Sequence, residues 1–450
     1  MRKGNYWQRL VIYMRPCDGR YEEIMKGTIA RNILDDLTAA LVLAAVAIPL
    51  AMGFAMASGL RPEQGIIGGA IASLFGAIFG GSKYLVHGPS AAFIPVTAGL
   101  MASYDTGFLI LALLIAGVML LLSGFFRIGR IVEKLPYSII VGFTIGIALI
   151  IIFSQIGPAL GFKEKTGYNI IDHTLFAYKN INRINFSAVA MVVLTIVFCK
   201  TFEKLSAFIP GPVPALVFGY FGAKTFWTDK GLILVGDQYG NIMGNLFAFT
   251  PPSLQESWNS LMVFDLACYG FTFFIISSIE SLVYGRAADR LAHNSGFPFS
   301  SNRELRGLGM TSIFSALFNG LPQSANLGRT ALNIRIKGRS PLTGISRSAF
   351  IVLIAILVGA HLEKIPMACI AGILLYVAGG MIKKREIIKI ARMNNYHVIL
   401  MCYTIAAVPL FGFMSGVLSA IIIYVLCFRS FEKKKNKEPV HKKRHKYEKY

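Results

Sequence analysis

Charged residues are scarce in this sequence. Only 15% of its 450 residues are Asp, Glu, Lys or Arg, whereas 54% are hydrophobic and the mean hydropathy is +0.58. In a water-soluble domain about a quarter of the residues are charged, so this composition excludes a water-soluble globule. Apolar runs of about 20 residues, which is the length that crosses the hydrocarbon of a bilayer, recur from Ile33 to Phe428. We therefore expect an integral membrane protein.

Cysteines are also few. The chain has six, with no Cys-x-x-Cys pair and no Cys/His spacing of a metal site, so we expect neither disulfides nor a bound metal or other cofactor. No nucleophile-base pair and no phosphate-binding loop is apparent, so we do not expect an enzyme. The N-terminal segment, residues 1–32, lacks the pattern of a cleavable signal peptide, and we expect it to stay attached.

Acidic residues are outnumbered, because 45 Lys and Arg stand against 23 Asp and Glu. In a soluble chain this surplus would indicate nucleic acid, but membrane topology accounts for it here, and we expect no nucleic-acid partner. With a cytoplasmic N-terminus, 36 basic residues lie on the cytoplasmic side, eight lie outside, and Arg329 falls inside the membrane. This asymmetry predicts a multi-pass protein with both termini cytoplasmic. We expect its location to be the bacterial inner membrane. Several of the cytoplasmic basic residues are assigned to loops, among them Lys83, Arg303, Arg306 and Arg347.

The tail, residues 429–450, holds ten basic and three acidic residues. A basic segment beside the last helix attracts anionic headgroups, so we expect anionic lipids as its partners.

The apolar pattern predicts fourteen membrane segments. Twelve are long runs, near 34–58, 64–80, 108–126, 136–160, 185–200, 206–226, 263–285, 304–321, 342–360, 365–382, 395–411 and 415–428. Two are too short to cross alone, namely Pro89 to Ser103 and Ala325 to Ile336. They occupy corresponding places in two halves of seven segments, so we expect their N-termini to face each other near the midplane.

Two helix N-termini that converge in a medium of low dielectric make an anion site, because each carries unpaired N–H groups and partial positive charge. Arg329 would add a full charge there. Small residues at the beginnings of the two short segments allow close approach of an ion to the backbone; they are Gly88, Ser90, Ala91, Ala92 and Gly328. The alternative is that Pro89 and Pro322 merely kink two packed helices whose small residues serve helix contacts.

Glu280 is the deepest carboxylate of the chain, in the middle of the eighth predicted segment. A charge at this depth costs several kcal/mol and is normally paired or functional. Glu280 is therefore either the ion-pair partner of Arg329 or a site for H⁺ or Na⁺ that couples cation movement to anion movement.

Several motifs, taken in order, resemble the SulP anion transporter family across residues 33–428. They are the run ending Ala-Ile-Pro-Leu-Ala-Met at residues 47–52, Ser58 to Gly65, Gly88 to Ala92, Ser278 to Ser281, Asn302 to Leu305, and Arg329 to Asn333.

The resemblance implies an all-α integral membrane fold with two inverted seven-helix repeats and an elevator mechanism. It implies a core of about 33–126 and 263–360 that moves against a gate of about 131–226 and 365–428. It places the anion at Ser90 and Ala91 of the third segment and at Gly328 and Arg329 of the tenth. Because cation-coupled members keep an acid where Glu280 stands, it also implies symport.

Two features of the sequence depart from the family pattern. Leu50 stands where many relatives have Gln, and only about 22 residues follow the last segment, where most relatives continue into a STAS domain. We therefore expect no STAS domain, and we consider a homodimer without relying on one.

The resulting hypothesis is secondary active transport of a small inorganic anion, sulfate first and bicarbonate next, in symport with H⁺ or Na⁺. The alternatives are an uncoupled exchanger or channel for chloride, bicarbonate or a dicarboxylate, a voltage-responsive protein like prestin, and a proton-coupled nucleobase transporter of related fold.

Overall fold

The computed structural model describes residues 19–25, 28–129, 136–163, 170–205, 209–228, 230–242, 244, 246, 259–294 and 296–433. Most of the predicted N-terminal segment and of the basic tail lies outside these ranges, as do residues 131–135 of the predicted gate.

Helices dominate the described residues. They are α1 (Ile29–Ala57), α2 (Pro62–Phe79), α3 (Ile94–Ser103), α4 (Thr106–Phe125), α5 (Tyr137–Ser154), α6 (Ile170–Lys179), α7 (Phe186–Leu205), α8 (Pro212–Thr225), α9 (Ser260–Leu291), α10 (Ser301–Leu317), α11 (Leu327–Arg335), α12 (Leu342–Leu362), α13 (Met367–Met381), α14 (Lys384–Ala391), α15 (Asn395–Phe411) and α16 (Phe413–Lys433).

Eight helical stretches among the described residues are long and apolar enough to cross a membrane. They are Ile29–Ala57, Pro62–Phe79, Thr106–Phe125, Tyr137–Leu160, Phe186–Leu205, Ser260–Leu291, Leu342–Leu362 and Met367–Ala391. The seventh predicted segment, 206–226, is represented by the shorter α8, which begins at Pro212, where a proline fits the first turn of a helix. An all-helical, multi-pass membrane protein is confirmed, and fourteen segments stay a prediction.

The described chain divides into two compact units. The first comprises residues 1–134 and 150–380, and within it α10 packs against α4, while α12 packs against α1 and α2. Glycine lets α4 and α10 approach closely, because a Cβ at Gly309 would lie 2.7 Å from the carbonyl oxygen of Gly117. Small residues at helix contacts are the usual way to bring membrane helices together.

The second unit comprises residues 135–149 and 381–450. Its apolar cluster joins Val141 and Ile145 of α5 to Ile390 of α14 and Met401 of α15. Beside this cluster, Ser138 Oγ lies 3.0 Å from His397 Nδ1.

Two three-residue strands interrupt the helical pattern of the first unit, and the sequence did not predict them. Strand β1 (His87–Pro89) pairs antiparallel with β2 (Gln323–Ala325), and Gly88 lies opposite Ser324. Pro89 and Pro322 favour extended backbone at these places, because proline restricts its own φ and the residue before it. Each strand leads directly into one of the two short segments.

The assignment of three arginines to cytoplasmic loops was wrong. Arg303 and Arg306 lie in α10 and Arg347 lies in α12, and all three side chains are at most 9% exposed. Two of them donate hydrogen bonds to backbone carbonyls of neighbouring segments. Arg306 donates to Gly124, and Arg347 donates to His87. Lys83 does lie in a connection, between α2 and β1, but it is only 4% exposed.

Candidate functional site

The two short segments begin in the same way, with a strand, a capping residue and a helix. After β1, the Ser90 side chain accepts the N–H of Ala92 and opens the 3-10 turn Ala91–Phe93, which continues into α3. After β2, the Asn326 side chain accepts the N–H of Arg329 at 3.0 Å and opens α11. Because the strands pair, both helix beginnings are fixed at one two-stranded ladder.

Arg329 lies across the backbone of β1. It is the third residue of α11, it is 5% exposed, and its Nη2 donates to the carbonyl oxygen of Pro89 at 2.5 Å. Among the described residues, its Nη1 has no hydrogen-bond partner. Gly88 makes room for this guanidinium, since a Cβ there would lie 2.6 Å from Nη1. A buried cationic donor is thus left without an acceptor.

The backbone beside Arg329 is open. The N–H groups of Ala91, Leu327 and Gly328 precede the first helical hydrogen bonds, so they have no acceptor within their own helices. Around Gly328, an added Cβ would meet only Asn326 Oδ1 within 4 Å, at 3.4 Å. Ala91 and Ala92 are buried and small.

Glu280 is held by hydroxyl groups on the same ladder. Ser324 Oγ of β2 donates to its Oε2 at 2.5 Å, and the side chain of Ser90 also hydrogen-bonds to the carboxylate. Glu280 is 5% exposed, and no ion pair within 4.0 Å joins it to Arg329 in the described part of the chain. The ladder therefore holds the carboxylate and the guanidinium near each other through different partners.

One face of α9 is fastened to β2. Ser277 Oγ donates to the carbonyl oxygen of Gln323 at 2.9 Å, and Ser281 Oγ accepts the N–H of Ala325 at 2.9 Å. Together with Glu280, these serines follow the i, i+3, i+4 spacing that places side chains on one face of a helix.

The structure places the candidate anion-binding residues, namely Ser90, Ala91, Ala92, Gly328 and Arg329, in the helix beginnings that follow β1 and β2, and Glu280 of α9 bonds to Ser90 and Ser324 there. Sequence reasoning missed the supporting residues. Ser324 holds Glu280, and Arg347 binds β1 through the carbonyl oxygen of His87 at 2.8 Å. His87 Nε2 in turn lies 2.6 Å from Glu304 Oε1. A signal was present for Arg347, because it is the one charged residue within the apolar run predicted near 342–360.

A cavity of about 220 Å³ in the first unit opens along α3. Its lining includes Met56 of α1, Ala98 of α3 and Ile370 of α13, with His173 and Tyr239 at polar positions. Burial lowers the pKa of His173 and raises that of Tyr239 to about 12, so both groups are neutral near pH 7. This cavity is wide enough for a small polyatomic ion.

Known anion transporters resemble this chain over most of its length. Residues 33–404 match the model of the sulfate permease family. The chain is 32% identical over 410 residues to YvdB of Bacillus subtilis, named as a sulfate transporter, with 91% of this chain and 76% of that protein covered. It is 30% identical to the bicarbonate transporter BicA of a Picosynechococcus strain, with 76% of this chain and 61% of BicA covered.

Solved structures show the same likeness. The transmembrane domain of a cyanobacterial BicA superposes with a TM-score of 0.72 at 25% identity, and the match covers 87% of this chain and 98% of that domain. The murine Slc26a9 anion transporter in an inward-facing state superposes with a TM-score of 0.81, covering 95% of this chain and 74% of that one. At 18% identity the second match speaks for the fold alone.

Proposed function

The chain belongs to the sulfate permease family, a family of inorganic anion transporters and not of enzymes, and from this membership we propose a specific cargo and mechanism. The protein carries sulfate, or with lower preference bicarbonate, across the bacterial inner membrane in symport with H⁺ or Na⁺. The observation that carries the proposal is Nη1 of Arg329, which lies beside two helix beginnings and has no hydrogen-bond partner in the described ranges. The names of YvdB and BicA support these two anions.

The anion is bound between α3 and α11. Arg329 Nη1 supplies a charged donor, and the N–H groups of Ala91, Leu327 and Gly328 supply neutral ones. The partial positive charge of two helix N-termini adds to the attraction. Open space at Gly328 and the small side chains of Ala91 and Ala92 let the ion approach the backbone.

The coupling cation binds at Glu280. A bare carboxylate near an incoming anion repels it, and a proton or Na⁺ on Glu280 removes that repulsion. Carboxylate and hydroxyl oxygens are ligands that suit a hard cation, and Ser90 and Ser324 provide two hydroxyls. Ser90 also caps the helix beginning that faces the anion. One side chain thus belongs to both sites, which gives a physical reason for cation and anion to load together.

Movement follows an elevator scheme in two inverted seven-segment repeats. The core of about 33–126 and 263–360 carries the ladder, Glu280 and Arg329, and the gate comprises about 131–226 and 365–428. The parallel order of strand, cap and short helix at β1 and β2 supports two related repeats. The 220 Å³ cavity between α1 and α3 of the core and α13 of the gate supports an access path. With both termini cytoplasmic, α1 runs outward, so its end at Met56, which lines this cavity, lies toward the outside.

Purified protein in liposomes tests the coupling. Labelled sulfate uptake is measured against imposed H⁺ and Na⁺ gradients, with the membrane potential clamped. One of the two gradients should drive accumulation above equilibrium. Equal uptake with and without both gradients would favour the uncoupled exchanger or channel instead.

A further inference from the structure

Arg347 is a second buried cation on the strand that Arg329 contacts. Its side chain is 1% exposed, its Nη1 donates to the carbonyl oxygen of His87, and its Nε and Nη2 have no partner among the described residues. No carboxylate lies within 4.0 Å of it in that part of the chain. A buried charge without a counter-ion is costly, so it calls for a functional reason.

Both arginines act on the same short strand. Arg347 binds the carbonyl of His87 and Arg329 binds the carbonyl of Pro89, two residues further on. In an extended strand these carbonyls are about 7 Å apart. Because both guanidinium groups are bonded to carbonyls of this one strand, the charge of Arg347 adds to that of Arg329 at an anion held beside Arg329.

The other charged groups near Arg347 have partners of their own. Glu304 accepts the N–H of Gly81 and lies against the His87 ring. Asp36 accepts hydrogen bonds from Ser340 and Thr343, which line a small cavity together with Arg347 and Lys83.

Arg329 and Arg347 bond to backbone carbonyls of the ladder and Glu280 bonds to its Ser324 hydroxyl, whereas Glu304 contacts the ladder only through the His87 ring. When a cation neutralises Glu280, the positive charges of Arg329 and Arg347 remain on the ladder backbone.

We propose that Arg347 sets the preference of the site for divalent over monovalent anions, acting through its charge and not through contact. This inference rests on the proposed function and deepens it, because it names a doubly charged oxyanion as the substrate class. Coulomb energy is proportional to charge, so removing one positive charge near the site costs a divalent anion twice the binding free energy that it costs a monovalent one. If the affinity for the monovalent anion falls by some factor, the affinity for the divalent anion falls by the square of that factor. The ratio of the two affinities therefore falls by that factor, about tenfold for charges some 7–10 Å apart in a partly screened site.

Sulfate and perchlorate are suitable probes, since both are tetrahedral oxyanions of similar size and differ in charge. Competition of each against labelled sulfate uptake in proteoliposomes gives the affinity ratio. Arg347→Gln keeps a side-chain N–H donor and loses the charge, whereas Arg347→Lys keeps the charge. Arg306→Gln is the matched control, because Arg306 is also a buried arginine on a backbone carbonyl, but its acceptor is Gly124 of α4 and not a residue of the ladder.

The expected result is a sulfate-to-perchlorate ratio lowered about tenfold in Arg347→Gln and kept within about twofold in Arg347→Lys and Arg306→Gln. Equal loss in the Gln and Lys variants would overturn the proposal, because it would mark a role in hydrogen bonding alone. An unchanged ratio in Arg347→Gln would overturn it too.

The wild type provides a test that needs no variant. Sulfate is the more strongly hydrated ion, so it outcompetes perchlorate only if the site repays its larger desolvation cost. Wild-type protein that prefers perchlorate would overturn the inference while leaving anion transport intact. Wild-type protein that moves no inorganic anion would overturn the proposed function as well.

Discussion

Replacing Gly88 by alanine would place a methyl group against the guanidinium of Arg329. The added Cβ would lie 2.6 Å from Nη1 and 3.3 Å from Cζ, well inside ordinary contact distance. Because the group in the way is the end of a flexible side chain, the guanidinium can withdraw by about 1 Å while the helices stay in place. The hydrogen bond from Nη2 to the Pro89 carbonyl, now 2.5 Å long, would then be lost.

The shift also moves Nη1 away from the anion. A hydrogen bond that involves a charged group contributes about 1.5–3 kcal/mol, so loss of the bond from Nη1 to the anion should lower affinity by about 10- to 150-fold. Loss of the internal bond to Pro89 and the φ of Gly88, 159°, which lies at the edge of what an L-residue adopts, should in addition lower the stability of the fold. The two effects separate in measurement, because substrate affinity and thermal unfolding are measured independently.

The assay is the concentration dependence of labelled sulfate uptake in proteoliposomes, together with thermal unfolding in detergent. Gly379→Ala is the matched control, because nothing lies within 4 Å of a Cβ added there. A Gly88→Ala protein that takes up sulfate with wild-type affinity would refute the placement of the anion beside Arg329.

Five further substitutions examine the other parts of the site. Arg329→Ala should abolish uptake in a protein that still folds and inserts. Arg329→Lys should retain part of the uptake, because the charge remains while the planar guanidinium is lost. Near-normal uptake by the Ala variant would show that Arg329 does not belong to the anion site. Gly328→Leu and Ala91→Leu should each weaken substrate affinity more than expression, since a bulky side chain would block the approach of the ion to the backbone, and normal binding by both would place the site elsewhere. Glu280→Gln mimics the neutral carboxyl and should keep anion exchange while losing gradient-driven accumulation. Reversal potentials at several pH and Na⁺ values check this, and a wild type indifferent to both cations would make Glu280 a structural residue.

The membrane-spanning helices were predictable because twenty consecutive apolar residues leave few other structures in lipid. The predicted run near 108–126 became α4, and the run near 342–360 became α12. The two short segments were predictable for a related reason. Each is too short to cross alone, and a proline and a glycine mark the beginning of each.

The strands were not predictable from local pattern. Three residues are too few for an alternating signal, and β1 gains its partner from β2, more than 200 positions further along the chain. The partners of Glu280 were missed for the same reason. The sequence offered Arg329 as the nearest opposite charge, whereas the ladder brings Ser324 and Ser90 to the carboxylate.

Arg347 was misplaced because basic residues near a helix end usually reach the cytoplasm. Its burial depends on the carbonyl of His87, which is presented by a strand that the sequence did not reveal.

The most direct test of anion transport through Arg329 is counterflow into proteoliposomes loaded with unlabelled sulfate. Labelled sulfate, bicarbonate, chloride and uracil are offered outside one at a time, to the wild type and to Arg329→Ala. We expect that sulfate is taken up fastest, that uracil is not taken up, and that the Ala variant exchanges none of the four. Uptake of uracil, or sulfate exchange that survives the loss of Arg329, would contradict this mechanism.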